Sequence, residues 1–177
     1  MKYYTGRGDS GETDTVGLGR ISKGDRLACA IGDIDELNSS LGVAIANLTD
    51  EHLSNVLRSL QNKLFIVGAE LSSSGKAGTR RITPNDVRDI EEETDGLSVK
   101  IPELKRFVLP GGSVSSSHLH MARAVSRRAE RSIVMLPKGG GPSKELLSFI
   151  NRVSSLLFVA ALYMNAKEGV EESHPSY

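Results

Sequence analysis

Near its start the chain carries Gly6-Arg7-Gly8-Asp9-Ser10-Gly11, a literal G-x-G-x-x-G. Residues of these types suit a phosphate. Glycine reaches positive φ and lets backbone approach an anion closely, and successive N–H groups in such a turn form an anion-binding nest. Thr5 and Thr13 add hydroxyl donors, Arg7 and Lys23 add positive charge, and Asp9 is an oxygen donor for Mg²⁺, directly or through water. A dinucleotide fingerprint needs a strand before the first glycine and a helix at the last. Only Met1 to Thr5 stand before Gly6, Glu12-Thr13-Asp14-Thr15 opens no helix, and no βαβ unit follows. The G-x-x-x-x-G-K-[ST] pattern is missing too. Two readings stay open for the segment: a phosphate-binding turn, or a frayed terminus.

A second cluster is Arg123-Ala-Val-Ser-Arg127-Arg128-Ala129-Glu130-Arg131. At about 100° per residue, Arg123, Arg127 and Arg131 share one narrow helical stripe. Glu130 sits at its edge and Arg128 points well round from it, while Leu119, Ala122, Ala129 and Ile133 form an adjoining apolar face. Like charges one turn apart repel. They suit either a solvated face or a clamp on polyphosphate, for which the planar guanidinium fork is adapted. In the clamp, Glu130 orients an arginine or reaches a metal.

Further polar residues sit beside apolar stripes. Asp35 and Asn38 border the buried face set by Ile34, Leu37 and Leu41, and Arg123 is a candidate partner for Asp35, within the chain or across a subunit contact. Asn151 interrupts an apolar helix, either as an ordinary hydrogen-bonded side chain or as a ligand reader. The four histidines give no metal signature, and His118 and His120, two apart, diverge on a helix. The metal ligands are therefore unknown. Cys29, the single cysteine, reads as a small core residue rather than a nucleophile.

The elements that must position these residues are helical. Leu27, Ile31, Ile34, Leu37, Leu41 and Ile45 recur at helical spacing behind an Asp25 cap, predicting a first helix of about 22 residues. Asp50 caps a second helix through Leu71, closed by a Ser- and Gly-rich stretch over 72–78. Thr83-Pro84 opens a third helix to about Ser98. A fourth runs from Ser115 to Leu136, broken by Pro137 and Gly139-Gly140-Gly141-Pro142. Ser143 caps a fifth, about Lys144 to Lys167, with core face Leu146, Ile150, Val153, Leu157 and Ala161. With almost no strand candidate, the fold class is all-α: a five-helix up-and-down bundle over 25–168, an extended N-terminal arm over 1–24 and a disordered tail over 169–177. The loop at 72–82 is the expected mobile one.

The 177 residues suffice for one apolar core, and 22 basic residues balance 22 acidic ones. Zero net charge gives no global reason to expect nucleic acid or an anionic membrane as partner. No signal peptide or membrane-spanning run is read, and one cysteine implies no disulfide framework, which together suggest the cytoplasm.

Taken together, four blocks resemble the PduO-type ATP:cob(I)alamin adenosyltransferases. They are Tyr4-Thr5-Gly6-Arg7-Gly8-Asp9-Ser10-Gly11; Ile34-Asp35-Glu36-Leu37-Asn38; Phe107-Val108-Leu109-Pro110-Gly111-Gly112 leading to Arg123 and Arg127–Arg131; and Ile150-Asn151-Arg152-Val153-Ser154. The resemblance implies a homotrimer of five-helix bundles with sites between subunits. It implies transfer of the 5′-deoxyadenosyl group of ATP to the cobalt of cob(I)alamin, with release of triphosphate and assistance from Mg²⁺. It also implies a supplying reductase and an adenosylcobalamin-dependent acceptor enzyme as partners. By the same resemblance Thr5, Gly6, Arg7, Gly8, Asp9, Gly11 and Thr13 wrap the triphosphate with Lys23, and Arg127, Arg128, Glu130, Arg131 and Asn151 complete the ATP site. Asp35 and Arg123 match an intersubunit ion pair, and Phe107 the aromatic residue that displaces the lower axial cobalt ligand. Asp33 departs from the family's more frequent Thr, and Ser155 stands where an acidic residue often follows Ser154. The contrasting reading is a non-catalytic ATP sensor or cobalamin carrier on the same bundle.

Overall fold

A computed structural model describes residues 1–73, 76–137 and 141–177. Ser74, Gly75, Gly139 and Gly140 of the predicted breaks lie outside the described residues. Five helices follow a small hairpin: β1 (Glu12–Thr15), β2 (Gly19–Ser22), α1 (Arg26–Ala46), α2 (Glu51–Ser73), α3 (Pro84–Ser98), α4 (Val114–Val134) and α5 (Lys144–Lys167). The hairpin adds one small two-stranded sheet to the mostly helical fold expected. β1 and β2 pair antiparallel, Glu12 opposite Ser22 and Thr15 opposite Gly19. Its strands are four residues each and mostly exposed, so apolar alternation, the usual strand signal, is missing.

The helix starts follow side-chain chemistry. Asp25 accepts from the Leu27 N–H, Asp50 from Leu53, Ser113 from Ser116 and Ser143 from Leu146. Thr83 and Asp86 form a reciprocal capping box before α3, with Pro84 in its first turn. α4 ends two residues before the predicted Leu136, because Pro137 disfavours a helical residue ahead of it.

Packing runs α2–α1–α4–α5–α3. The core joins Leu37 and Leu41 of α1, Leu57 and Leu64 of α2, Leu119 and Ile133 of α4, and Phe149, Ile150 and Leu157 of α5. α5 has neighbours on both flanks, which explains its wide buried face, Leu146 through Met164. Among the described residues it is the one helix long and apolar enough to cross a membrane, and 56% of that window is buried within the bundle.

A clasp at one end sets the path of the chain into α4. Asn165, 1% exposed, accepts from the Ser113 N–H at 2.9 Å and donates to the Gly111 carbonyl at 3.1 Å. Gly112 has φ 104°, and a Cβ there would fall 2.3 Å from the Asn165 amide, so only glycine fits. The tail is held rather than disordered. The Leu109 N–H donates to the Ser173 carbonyl at 2.7 Å, the His174 Nδ1 sits 2.8 Å from the Phe107 carbonyl, and Asn165 donates to Glu172.

Asp50 ties α2 to α5. Its carboxylate caps Leu53 and accepts from the Tyr163 hydroxyl at 2.8 Å and Lys167 at 2.6 Å. Burial pushes the carboxyl up, but these bonds outweigh burial and hold it down at about 2. A depressed carboxylate stabilises the fold above its unfolded value near 3.9, and that stabilisation is lost as pH falls toward 2. Asp50→Ala is expected to cost about 2–4 kcal/mol in urea unfolding at neutral pH, with the gap to the parent shrinking between about pH 4 and pH 2. An unchanged midpoint would remove Asp50 from the stabilising set.

Candidate functional site

The arm folds on itself through two successive turns, with Asp9 N–H to the Gly6 carbonyl and Gly11 N–H to the Gly8 carbonyl, both 3.2 Å. Gly6 and Gly11 take φ 72° and 79°, the positive range that the glycine spacing predicts. Lys23 closes the loop, its N–H donating to the Gly11 carbonyl and its ammonium to the Gly8 carbonyl at 2.9 Å. Arg7 pairs with Asp14 at 3.1 Å, and Arg20 pairs with Glu12 and donates to the Arg7 carbonyl. The Arg7 and Asp14 side chains are more than half exposed. Such pairs hold little free energy, so a polyanion can displace them. Thr5 and Thr13 stand in the same segment, Thr5 accepting from the Arg7 N–H. The hairpin turn is docked on the end of α2, Val16 and Gly17 donating to Ser72.

Behind the hairpin lies a cleft of about 550 Å³ lined by Thr13, Lys23, Asp35, Asn38 and Phe65. Asp35 is exposed and makes no ion pair or hydrogen bond among the described residues. It does not meet Arg123 within the chain.

Arg123 lines a different cavity, about 790 Å³, between the 104–110 segment, α4 and α5. Arg127, Phe107, His120, Ser155 and Phe158 line it too. Phe107 is 80% exposed. The Arg123 guanidinium lies over the Phe158 ring at 5.9 Å, a cation–π contact. Burial, then the Arg127 charge, lowers its pKa from the ordinary value. Among the described residues no carboxylate lines this cavity, and the charges of Arg123 and Arg127 stand there without a partner.

The remaining predicted residues divide by helix face. Arg128 turns to α1, where it pairs with Asp33 at 3.5 Å and with Glu36. Ser132 donates to the same Asp33. Glu130 accepts from the Asn151 amide at 2.8 Å, and Arg152 joins Asn151 at 3.0 Å and Glu91 at 2.8 Å. Arg131 is exposed. Thus α4 brings Arg123 and Arg127 to Phe107, and Glu130 to Asn151. Among the described residues no hydrogen bond joins residues 1–24 to either set.

Cys29 is exposed, correcting the expected core placement: it sits off the Leu27–Ala30–Ile34 face. Asn165 and Phe158 are missed by a sequence reading. Asn165 gives no signal, being one polar residue near a helix end whose partners Gly111 and Ser113 lie over 50 positions away. Phe158 looks like core, although a cavity lined by Arg123 and Arg127 opens beside it.

Residues 3–164 match the family model described as cobalamin adenosyltransferase. The corrinoid adenosyltransferase of Bacillus subtilis is 40% identical over 174 residues, 96% of this chain and 90% of that protein. That of Citrobacter freundii is 38% identical, over 90% and 93% respectively. A variant of the PduO-type ATP:corrinoid adenosyltransferase from Lactobacillus reuteri, solved with cobalamin and ATP, superposes with a TM-score of 0.92 at 34% identity, covering 98% of this chain and 96% of that one. With that agreement along nearly its whole length, the chain belongs to the cobalamin adenosyltransferase family.

Proposed function

We infer that the chain transfers the 5′-deoxyadenosyl group of ATP to the cobalt of cob(I)alamin. The observation that carries this reading is the uncompensated pair Arg123 and Arg127 beside the exposed Phe107, on a chain whose relatives are corrinoid adenosyltransferases. Cob(I)alamin is the nucleophile, so the protein need supply none. Its cobalt electron pair forms the Co–C5′ bond. The C5′–O bond breaks, and its electrons leave on triphosphate. The protein orients C5′ and stabilises the growing charge. Arg127 and Arg131 neutralise the leaving group from one side. The arm's Gly6, Gly8 and Gly11 turn, with Thr5, Arg7, Thr13 and Lys23, wraps it from the other. Glu130 and Asn151, already bonded to each other, hold the nucleoside end, and Arg128 steadies α4 through α1. Phe107 presses an apolar ring on the lower face of cobalt and excludes an axial ligand.

Among the described residues no three His, Cys, Asp or Glu side chains converge on a cation position. That suits a Mg²⁺ that arrives on the triphosphate, with Asp9, Thr5 and Thr13 as the nearby oxygen donors. When bound it supplies charge for the leaving group.

The arm and the arginine face lie in separate clefts of one chain. We propose that they meet between neighbouring copies in a homotrimer of up-and-down bundles, residues 1–24 of one copy closing on α4 of the next. Asp35 then pairs with Arg123 across that contact, which gives both unpaired charges a partner. The free thiol of Cys29 accords with a reducing cytoplasm. A reductase supplies cob(I)alamin and an adenosylcobalamin-dependent enzyme takes the product.

Incubation with MgATP and chemically reduced cobalamin is expected to give the adenosylcobalamin spectrum and free triphosphate. Tight ATP binding without product would select a sensor or carrier instead. Arg127→Ala is expected to lower kcat/KM for ATP by about tenfold or more, since a charged hydrogen bond is lost; parent-like kinetics would free Arg127 from the clamp. Phe107→Ala should reduce kcat while KM for ATP holds, because an axial-face residue does not touch nucleotide. Equal losses in both would reject the axial role.

A further inference from the structure

His120 on α4 is 3% exposed, yet neither ring nitrogen has a hydrogen-bond partner among the described residues. The Arg123 Nε–H, one turn on, is buried and unpaired as well. Both residues flank Phe158, whose ring meets His120 edge-on at 6.0 Å and 61° and carries Arg123 over its face. All three line the cavity that holds Phe107. Buried polar groups left without partners are costly, so this floor is built for something that enters.

The donor and acceptor pattern limits what that is. Burial, then the Arg123 charge, lowers the His120 pKa. The other charged groups of the cavity, Lys105, Arg106 and Arg127, are cationic too. The imidazole is therefore neutral, with one N–H donor and one bare nitrogen acceptor. With the Arg123 Nε–H the floor offers two donors and one acceptor. The two ring nitrogens diverge, so one ligand group reaches only one of them. A primary carboxamide suits either tautomer there: its oxygen accepts from the Arg123 Nε–H, and it either donates its NH₂ to a bare ring nitrogen or accepts from a ring N–H.

We propose that His120, with Arg123 Nε–H, forms a subsite for a peripheral primary carboxamide of the corrin ring, held beside Phe158. This rests on the assignment of the Phe107 cavity to the corrinoid. The subsite fixes the ring in its plane and leaves nucleotide binding untouched.

The test titrates cob(II)alamin spectroscopically into the full-length protein with MgATP present, and separately measures KM for cob(I)alamin and for ATP. His120→Leu is expected to weaken Kd and KM for the corrinoid about fivefold or more, the scale of a lost neutral hydrogen bond. KM for ATP should stay within about twofold. His120→Gln, which keeps a donor and an acceptor, should recover most of the loss. Among cobalamins with one peripheral amide hydrolysed to carboxylate, at least one isomer should bind the parent protein several-fold less well and bind His120→Leu no worse than cobalamin does. Unchanged corrinoid affinity in His120→Leu overturns the subsite, as does a parallel rise in both KM values that Gln does not reverse. If the Leu variant fails to fold, the hydrolysed series with the parent protein decides, and uniform affinity across it overturns the proposal. A parent protein that binds cob(II)alamin with this selectivity but makes no adenosylcobalamin refutes the enzymatic reading and leaves the subsite standing.

Discussion

Guanidinium groups one turn apart on a helix repel one another, and this fold arranges not to relieve that repulsion internally. Arg123 and Arg127 share a cavity without a carboxylate, and the Arg127 charge works with burial to lower the Arg123 pKa. A structure that spends stability this way holds a potential that a polyanion can discharge. In the proposed clamp that discharge would be most favourable where negative charge is greatest, on a departing triphosphate rather than on intact ATP, so the same repulsion would favour the transition state over the ground state.

The cavity exists because a short irregular segment is held rigidly over α4. Asn165 closes the Gly111-Gly112 turn from within α5, and the tail bonds the carbonyl of Phe107 and the N–H of Leu109. Backbone is fixed just after Phe107 while its ring stays exposed. A large exposed aromatic carried on a fixed main chain is pre-organised for an apolar ligand face, since little backbone freedom remains to be lost on binding.

Much of this was legible in the sequence, and the exceptions share a cause. Caps at Asp25, Asp50, Thr83 and Ser143 are local chemistry, as is the apolar spacing of α1 and α5, so helix bounds followed within a few residues. The Arg123–Arg127 stripe and the outlying Arg128 followed from helical geometry alone. What escaped depends on contacts distant in sequence. Asn165 meets Gly111 from 54 positions away, and the tail meets Phe107 from 67. The arm's glycines signalled turns, but not that Arg20 and Lys23 would tie those turns to a hairpin. His120 was set aside for lack of a metal pattern. Its significance lies in missing partners, which only a packed structure reveals.

Arg128 shows why one helix can both hold the fold and meet a substrate. It lies one residue from Arg127, hence about 100° round α4, and its two carboxylate partners, Asp33 and Glu36, come from α1. Asp33 also accepts from Ser132, one further turn along. A half-buried carboxylate shared between an arginine and a hydroxyl fixes the rotation of α4 about its own axis more tightly than apolar packing alone, because its hydrogen bonds are directional. A roll of α4 would swing Arg123 and Arg127 out of register with Phe107, and the α1 carboxylates oppose that roll. The Asp at position 33 therefore acts on the Arg123–Arg127 face from behind: it holds the back of the helix so that the front keeps its charges aligned.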